Sequence, residues 1–139
     1  MPRDLCHWLA RLLGRQPQRP AGVSQAKRIL FLDDDPARHR DFDRAHRTDE
    51  VTHCFTAADA MQVLDDSPPF DELHLDHDLG GRIFVTEVKE TGYEVVLHVA
   101  RLPKERLPAR VVIHTHNLNG ARRMMECLGA RVPVSHIPF

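Results

Sequence analysis

Cysteine is scarce in this chain: of 139 residues three are Cys, at positions 6, 54 and 127, and none forms a CxxC or CxxH spacing. That argues against a disulfide framework and against an ordinary structural zinc site, and it fits a reducing cytoplasm. Excess charge is also lacking. Lys and Arg number 19 against 20 Asp and Glu, a formal net charge of −1, so there is neither the basic field of a duplex-DNA binder nor an acidic tail. Long apolar runs are missing too. The stretch Leu5 to Leu13 is broken by His7 and Arg11 and follows Asp4. It is unsuited to a signal peptide and far short of the ~20 apolar residues that span a bilayer, so no membrane partner is expected. What is present is the length of one compact domain, with 42% hydrophobic and 28% charged residues, an ordinary globular balance. Histidine is the surplus: 10 residues, against one Trp and one Tyr.

Leu5, Trp8, Leu9, Leu12 and Leu13 share one helical face, which predicts an amphipathic helix that packs on the domain, with a partner-binding or membrane-surface helix as the alternative. Gly14 to Gly22 holds two Pro and two Gly and reads as a linker. The chain thus divides into an N-terminal helix and linker, residues 1–26, and a domain over 27–139.

From Lys27 onward strands and helices alternate. Arg28 to Leu32 is apolar on both faces, as a central strand of a covered parallel sheet requires. Pro36 suits the first turn of a helix that runs to Ala45. Val51 to Phe55 forms the second strand, and Thr56 caps a helix stopped by Ser67-Pro68-Pro69. Asp71 to Asp76 is the third strand. A weakly alternating stretch, 82–90, precedes a helix near Tyr93 to Leu102. Arg110 to Thr115 is the fourth strand, Leu118 to Leu128 a helix ended by Gly129, and Arg131 to Ser135 the fifth strand. Such alternation predicts right-handed crossovers and a doubly wound α/β sheet.

In folds of this kind ligands bind in the crevice outside the carboxyl ends of the strands. Polar residues gather there: Asp33, Asp34 and Asp35 after strand one, Asp76, His77 and Asp78 after strand three, His114 to Asn117 after strand four, and His136 near the end of strand five. Two carboxylates ~4 Å apart repel by about 4 kcal/mol at an effective dielectric near 20. Converging acids therefore imply a divalent cation or a raised carboxyl pKa. Oxygen donors with few thiols favour Mg²⁺ or Mn²⁺, while the nearby imidazoles leave room for a softer metal.

Leu32-Asp33-Asp34-Asp35, Leu75-Asp76, Thr115, Thr91-Gly92-Tyr93-Glu94 and the closing Pro138-Phe139 resemble the response-regulator receiver domain over 27–139. The resemblance implies a receiver-like (flavodoxin-like) five-stranded parallel sheet of order 2-1-3-4-5. It also implies a metal held by Asp33 and Asp34 with Asp76 and Asp78, and a phosphate contact from Thr115. Three features depart from receivers. Ile137 stands where receivers carry Lys before the Pro-Phe. The stretch after Asp76 is about half a dozen residues longer, and the usual last helix is missing after strand five, which leaves a sheet face for the N-terminal helix to cover. Leu75-Asp76-His77-Asp78-Leu79-Gly80-Gly81 together with Ile113-His114-Thr115-His116-Asn117 is similar to the cyclic-phosphate processing receiver family. That similarity implies action on, or sensing of, 2′,3′-cyclic phosphate ends of nucleotides or RNA.

Opening such a phosphodiester needs an activated water, neutralised non-bridging oxygens and a proton for the leaving oxygen. Metal on the acids could supply the second need. His114 and His116, two apart on an extended strand, could face one side and serve as base and acid, imidazole titrating at about 6.5. His77, beside the carboxylates, could bind phosphate as an imidazolium, and Asp76 could take a phosphoryl group covalently. Thr115, Asn117 and His136 are further phosphate contacts, aided by the helix that follows. The other histidines have structural readings: His74 as a hydrogen-bonded core residue, His98 in helix packing, and His7, His39, His46 and His53 at the surface or at caps. Three functions compete: a metal-dependent cyclic phosphodiesterase, a cyclic-phosphate sensor that signals to a partner protein, and a degenerate receiver phosphorylated on Asp76.

Overall fold

The computed structural model describes residues 25–84, 86 and 88–139. The expected helix over Leu5 to Leu13 and the linker after it lie outside the described residues. In chain order the elements are β1 (Arg28–Leu32), α1 (Pro36–Ala45), β2 (Glu50–Cys54), α2 (Ala57–Asp66), β3 (Glu72–Leu75), α3 (Gly92–Ala100), a 3₁₀ turn (Lys104–Arg106), β4 (Arg110–Ile113), α4 (Leu118–Leu128) and β5 (Val134–His136). All strand pairs are parallel, in the order β2-β1-β3-β4-β5. The expected doubly wound sheet is therefore present, and no helix follows β5 among the described residues. Among them, no helix is long and apolar enough to cross a membrane.

Strand periodicity divides the core into two unequal layers. Leu30 and Leu32 of β1, Leu73 and Leu75 of β3, and Val111 and Ile113 of β4 pack against Ala60 and Leu64 of α2, Val95, Val96 and Val99 of α3, and Met124 and Leu128 of α4. The alternate positions of β1, Ile29 and Phe31, meet Phe42 of α1, with the Phe31 and Phe42 rings stacked at 4.1 Å. On this same side β3 presents Glu72 and His74, and Asp76 follows its end, so this strand is polar where β1 is apolar.

The end of strand four and the start of strand five differ from the sequence expectation for local reasons. Strand four ends at Ile113 and does not reach Thr115: the His114 amide makes a last ladder bond to the Leu75 carbonyl at 2.8 Å. The Thr115 hydroxyl then accepts from the Asn117 amide at 3.1 Å, and Asn117 caps α4 by accepting from the Gly120 amide at 2.9 Å. Side-chain-to-backbone bonds of this kind compete with the ladder and turn the chain. Strand five starts late because the Arg131 and Val132 amides still bond to the Leu128 carbonyl at 2.8 and 3.0 Å. The weakly alternating stretch 82–90 carries no regular strand or helix among its described residues.

Two close approaches hold the strand ends against the helices. A Cβ on Gly92 would lie 1.8 Å from the Asp76 carbonyl oxygen, and one on Gly120 would lie 2.6 Å from the His77 ring. Neither position has room for a side chain, so α3 starts, and α4 crosses, directly behind the carboxyl end of β3.

Candidate functional site

Successive residues leave a strand on opposite faces, and this rule sorts the expected site residues. Asp33 follows β1 and is fully buried. Its carboxylate accepts from the Asp35 amide at 2.8 Å and from Arg38 Nη1 at 3.1 Å, and burial pushes its pKa up. Asp76 follows β3, accepts from the His77 amide at 2.8 Å and lies 3.5 Å from Arg38 Nη1. Burial first, and then the Asp33 charge, raises its pKa to about 7. Asp34 accepts from the Gly81 amide at 2.6 Å. One carboxylate oxygen from each of Asp33, Asp34 and Asp76 lies within 4.8 Å of the other two, an all-oxygen group of the sort hard divalent cations take.

The triangle opens into a crevice of about 390 Å³ whose walls include Asp34, Arg38, Asp76, Phe84, Thr115 and His116. Thr115 is buried and His116 exposed. Asn117 and Asp78 also border it, but both are engaged: Asn117 caps α4 and donates from Nδ2 to Asp78 Oδ1 at 3.2 Å.

Four expected placements require correction. Asp78 stands outside the oxygen triangle. Its Oδ1 accepts a hydrogen bond from His77 Nδ1 at 2.6 Å and its Oδ2 accepts from the Phe84 amide at 2.7 Å, so it braces the loop that follows β3. His77 is fully buried, wedged against Gly120 of α4, with its Nε2 lacking a partner among the described residues. It leaves the chain on the face opposite Asp76 and does not line the crevice. His114 is 8% exposed and lies on the α1 side of the sheet. Its Nδ1 donates to the Ile137 carbonyl at 2.6 Å and its Nε2 sits 2.7 Å from His74 Nδ1. Burial drives its pKa down to about 4. Because β4 stops at Ile113, the extended spacing that would align His114 with His116 does not exist, and His116 alone of the two reaches the crevice. His136 donates from Nε2 to the Thr115 carbonyl at 2.8 Å and supports the loop from behind.

Structural readings of other histidines divide as well. His74 is a buried, bonded residue, joining Glu72 at 2.9 Å on one side and His114 on the other, with Lys27 on Glu72 at 2.7 Å. His39 is buried rather than at the surface, bonded to the Asp33 carbonyl at 2.8 Å and to His53 at 2.6 Å.

Arg38, Phe84 and Phe139 are crevice residues that the sequence reading missed. The Arg38 guanidinium lies over the Phe139 ring at 4.7 Å. A signal for Arg38 existed: with Asp35 as N-cap, residue 38 falls in the first turn of α1, next to the end of β1. Phe84 had none, since its placement depends on a loop without regular periodicity and on a backbone φ of 52°.

A family model described as cyclic-phosphate processing receiver domain matches residues 28–130. No curated protein matches the chain. Among solved structures, the chain is similar to a CheY-like response regulator receiver domain from Methylobacillus flagellatus, at 15% identity and a TM-score of 0.59 over 80% of this chain and 85% of that one. It is similar to the receiver domain of a sensor histidine kinase from Pseudomonas aeruginosa, solved with magnesium in its active-site cleft, at 19% identity and a TM-score of 0.59 over 81% and 84%. A third is an adenylate cyclase from Rhodopirellula baltica, at 23% identity and a TM-score of 0.60 over 81% and 76%. These similarities define the fold.

Proposed function

The chain belongs to the cyclic-phosphate processing receiver domain family, and from that premise we propose that its strand-end crevice binds the 2′,3′-cyclic phosphate end of a nucleotide or RNA beside a divalent cation and opens it by hydrolysis. The observation that carries this reading is the triangle of Asp33, Asp34 and Asp76 oxygens, of which Asp34 and Asp76 line a crevice walled also by Thr115 and His116. Mg²⁺ or Mn²⁺ held by those three carboxylates would supply positive charge for the non-bridging phosphate oxygens.

This chain's own residues do the rest. The Thr115 hydroxyl, buried at the crevice wall, can donate to a phosphate oxygen while accepting from the Asn117 amide. His116 is the imidazole that reaches the crevice wall, where it can act as a general acid or base. In the reaction a water oxygen bonds to phosphorus, one ring ester oxygen leaves and takes up a proton, and a phosphomonoester results. His116 either accepts the water's proton or delivers one to the leaving oxygen. His77 and His114 stay out of the chemistry and hold the scaffold.

A second reading, a sensor that binds the cyclic phosphate and passes the signal to a partner protein, is favoured by one observation: with His77 and His114 turned away, His116 is the histidine among the crevice-wall residues. The test is ³¹P NMR of a 2′,3′-cyclic nucleotide with the purified chain and Mg²⁺ or Mn²⁺. A metal-dependent monoester signal, absent with Asp76→Ala, supports the hydrolase. Binding that saturates with an unchanged cyclic signal selects the sensor, and no binding overturns both.

A further inference from the structure

We propose that Arg38 is the anion clamp of this crevice: an internal counter-ion to Asp33 and Asp76 that passes its guanidinium to the phosphate once a divalent cation takes the carboxylates. The proposal rests on the reading of the crevice given above.

Three buried or half-buried carboxylates outnumber one guanidinium, so the bare site repels a phosphate, and an entering anion needs a cation on its own side. Two arginines line the crevice, Arg38 and Arg82. Arg82 is committed to its own loop, donating to the carbonyls of Leu79 at 3.2 Å and Glu90 at 3.1 Å. Arg38 is held by charges that can be taken from it. Its Nη1 lies 3.1 Å from Asp33 Oδ2 and 3.5 Å from Asp76 Oδ2, and its Nε lies 3.9 Å from Asp35 Oδ2. Asp33 and Asp76 are also two of the three carboxylates in the oxygen triangle. A divalent ion and a guanidinium of the same sign cannot both be held at full strength by that pair, so occupancy of the triangle loosens Arg38.

The loosened side chain remains aimed at the crevice. It springs from the first turn of α1, and its guanidinium carbon lies over the Phe139 ring, 4.7 Å from the centroid, a cation–π contact that holds the group at the crevice while its N–H groups remain able to bond. About a third of the side chain is already exposed (35%). A planar fork suits two oxygens of one phosphate, which lysine's point charge does not match.

The clamp makes opposite predictions for the two ligands, which a purely structural role does not. In the full chain, Mn²⁺ affinity without phosphate is measured by the EPR signal of free Mn²⁺. Binding of adenosine 2′,3′-cyclic phosphate, and separately of inorganic phosphate, is measured by calorimetry in Mg²⁺. Arg38→Ala and Arg38→Gln should bind Mn²⁺ about threefold to tenfold more tightly, because a competing cation is gone. They should bind both anions at least about tenfold more weakly, as expected for a lost charge-assisted bond. Arg38→Lys should stay near the original chain for Mn²⁺ and fall between for the anions. Weaker Mn²⁺ binding in the neutral variants, or anion binding within about twofold of the original, overturns the clamp. Thermal unfolding of the same samples separates loss of fold from loss of contact, and Arg38→Lys keeps the test alive if a neutral variant fails to fold. If the original chain binds inorganic phosphate through Arg38 but no cyclic nucleotide, the clamp stands and the cyclic-phosphate reading falls. If it binds neither, both fall.

Discussion

His74 Nδ1 and His114 Nε2 lie 2.7 Å apart, joining β3 to β4 through their side chains on the α1 side of the sheet. The two rings stack at 5.0 Å between centroids. Their outer nitrogens face the Glu72 carboxylate and the Ile137 carbonyl, and both are acceptors. Full satisfaction of all three contacts takes three protons, one more than two neutral imidazoles carry. This bonded row fills sheet surface that β1 fills with Ile29 and Phe31, and it explains why His114 belongs to the scaffold.

Acid should destabilise the protein in a defined window, because burial disfavours the charged form of His114 more than a third proton in the row favours it. Burial holds the His114 pKa at about 4, below the value of about 6.5 for the unfolded chain. A group with a depressed folded pKa contributes stability that is present above the unfolded pKa and lost as pH falls through the folded one. Stability should fall between pH 6.5 and 4, by about 2 kcal/mol from this residue at pH 5. Urea unfolding at pH 7.5 and pH 5 checks this. His114→Gln should lose less over the same interval, and an equal loss would assign the effect elsewhere.

Metal affinity should follow pH in the opposite region. With its pKa raised to about 7, Asp76 holds a proton that a cation must displace. Apparent Mn²⁺ affinity should rise about tenfold per pH unit from 5.5 to 6.5 and level off above about 7.5. Asp76→Asn should bind weakly with a flatter profile. A steep profile kept by the variant would place the titrating group elsewhere.

Glycine to alanine within a helix ordinarily stabilises by about 1 kcal/mol. At Gly120 the sign should reverse, because the new Cβ would meet the His77 ring at 2.6 Å. Overpacking of this kind costs about 1–3 kcal/mol. Combining Gly120→Ala with His77→Ala should recover much of the loss, giving a coupling energy that separates ring contact from helix propensity.

Histidine variants should sort by place in the fold. His116→Ala should lower cyclic-phosphate turnover by about 10²–10⁴-fold with little change in Tm, as for a positioned acid or base. His77→Gln and His114→Gln should lower Tm and leave turnover per folded molecule within a few fold. Turnover that survives His116→Ala would move the proton transfer to another group.

The strand-helix order, the apolar β1 and the gathering of Asp33, Asp34 and Asp76 at strand ends were legible in the residues themselves. Period-2 and period-3.6 patterns, Thr56 and Pro36 at helix starts and Gly129 at a helix end are local signals, and local interactions obey them. What the sequence did not carry was the side of the sheet to which each polar residue turns after its strand stops. The Thr115 and Asn117 side-chain bonds end β4 at Ile113 and turn the chain, so His114 stays in the sheet face while His116 swings to the crevice. His77 pairs with Asp78 and turns away from the crevice that Asp78 borders. The spacing from Asp35 places Arg38 in the first turn of α1, but its reach to Asp76 after β3 depends on how α1 packs against the sheet. Composition and periodicity determined which residues could meet at the strand ends. Tertiary packing decided which of them do, because burial, capping bonds and close helix approach compete for the same side chains.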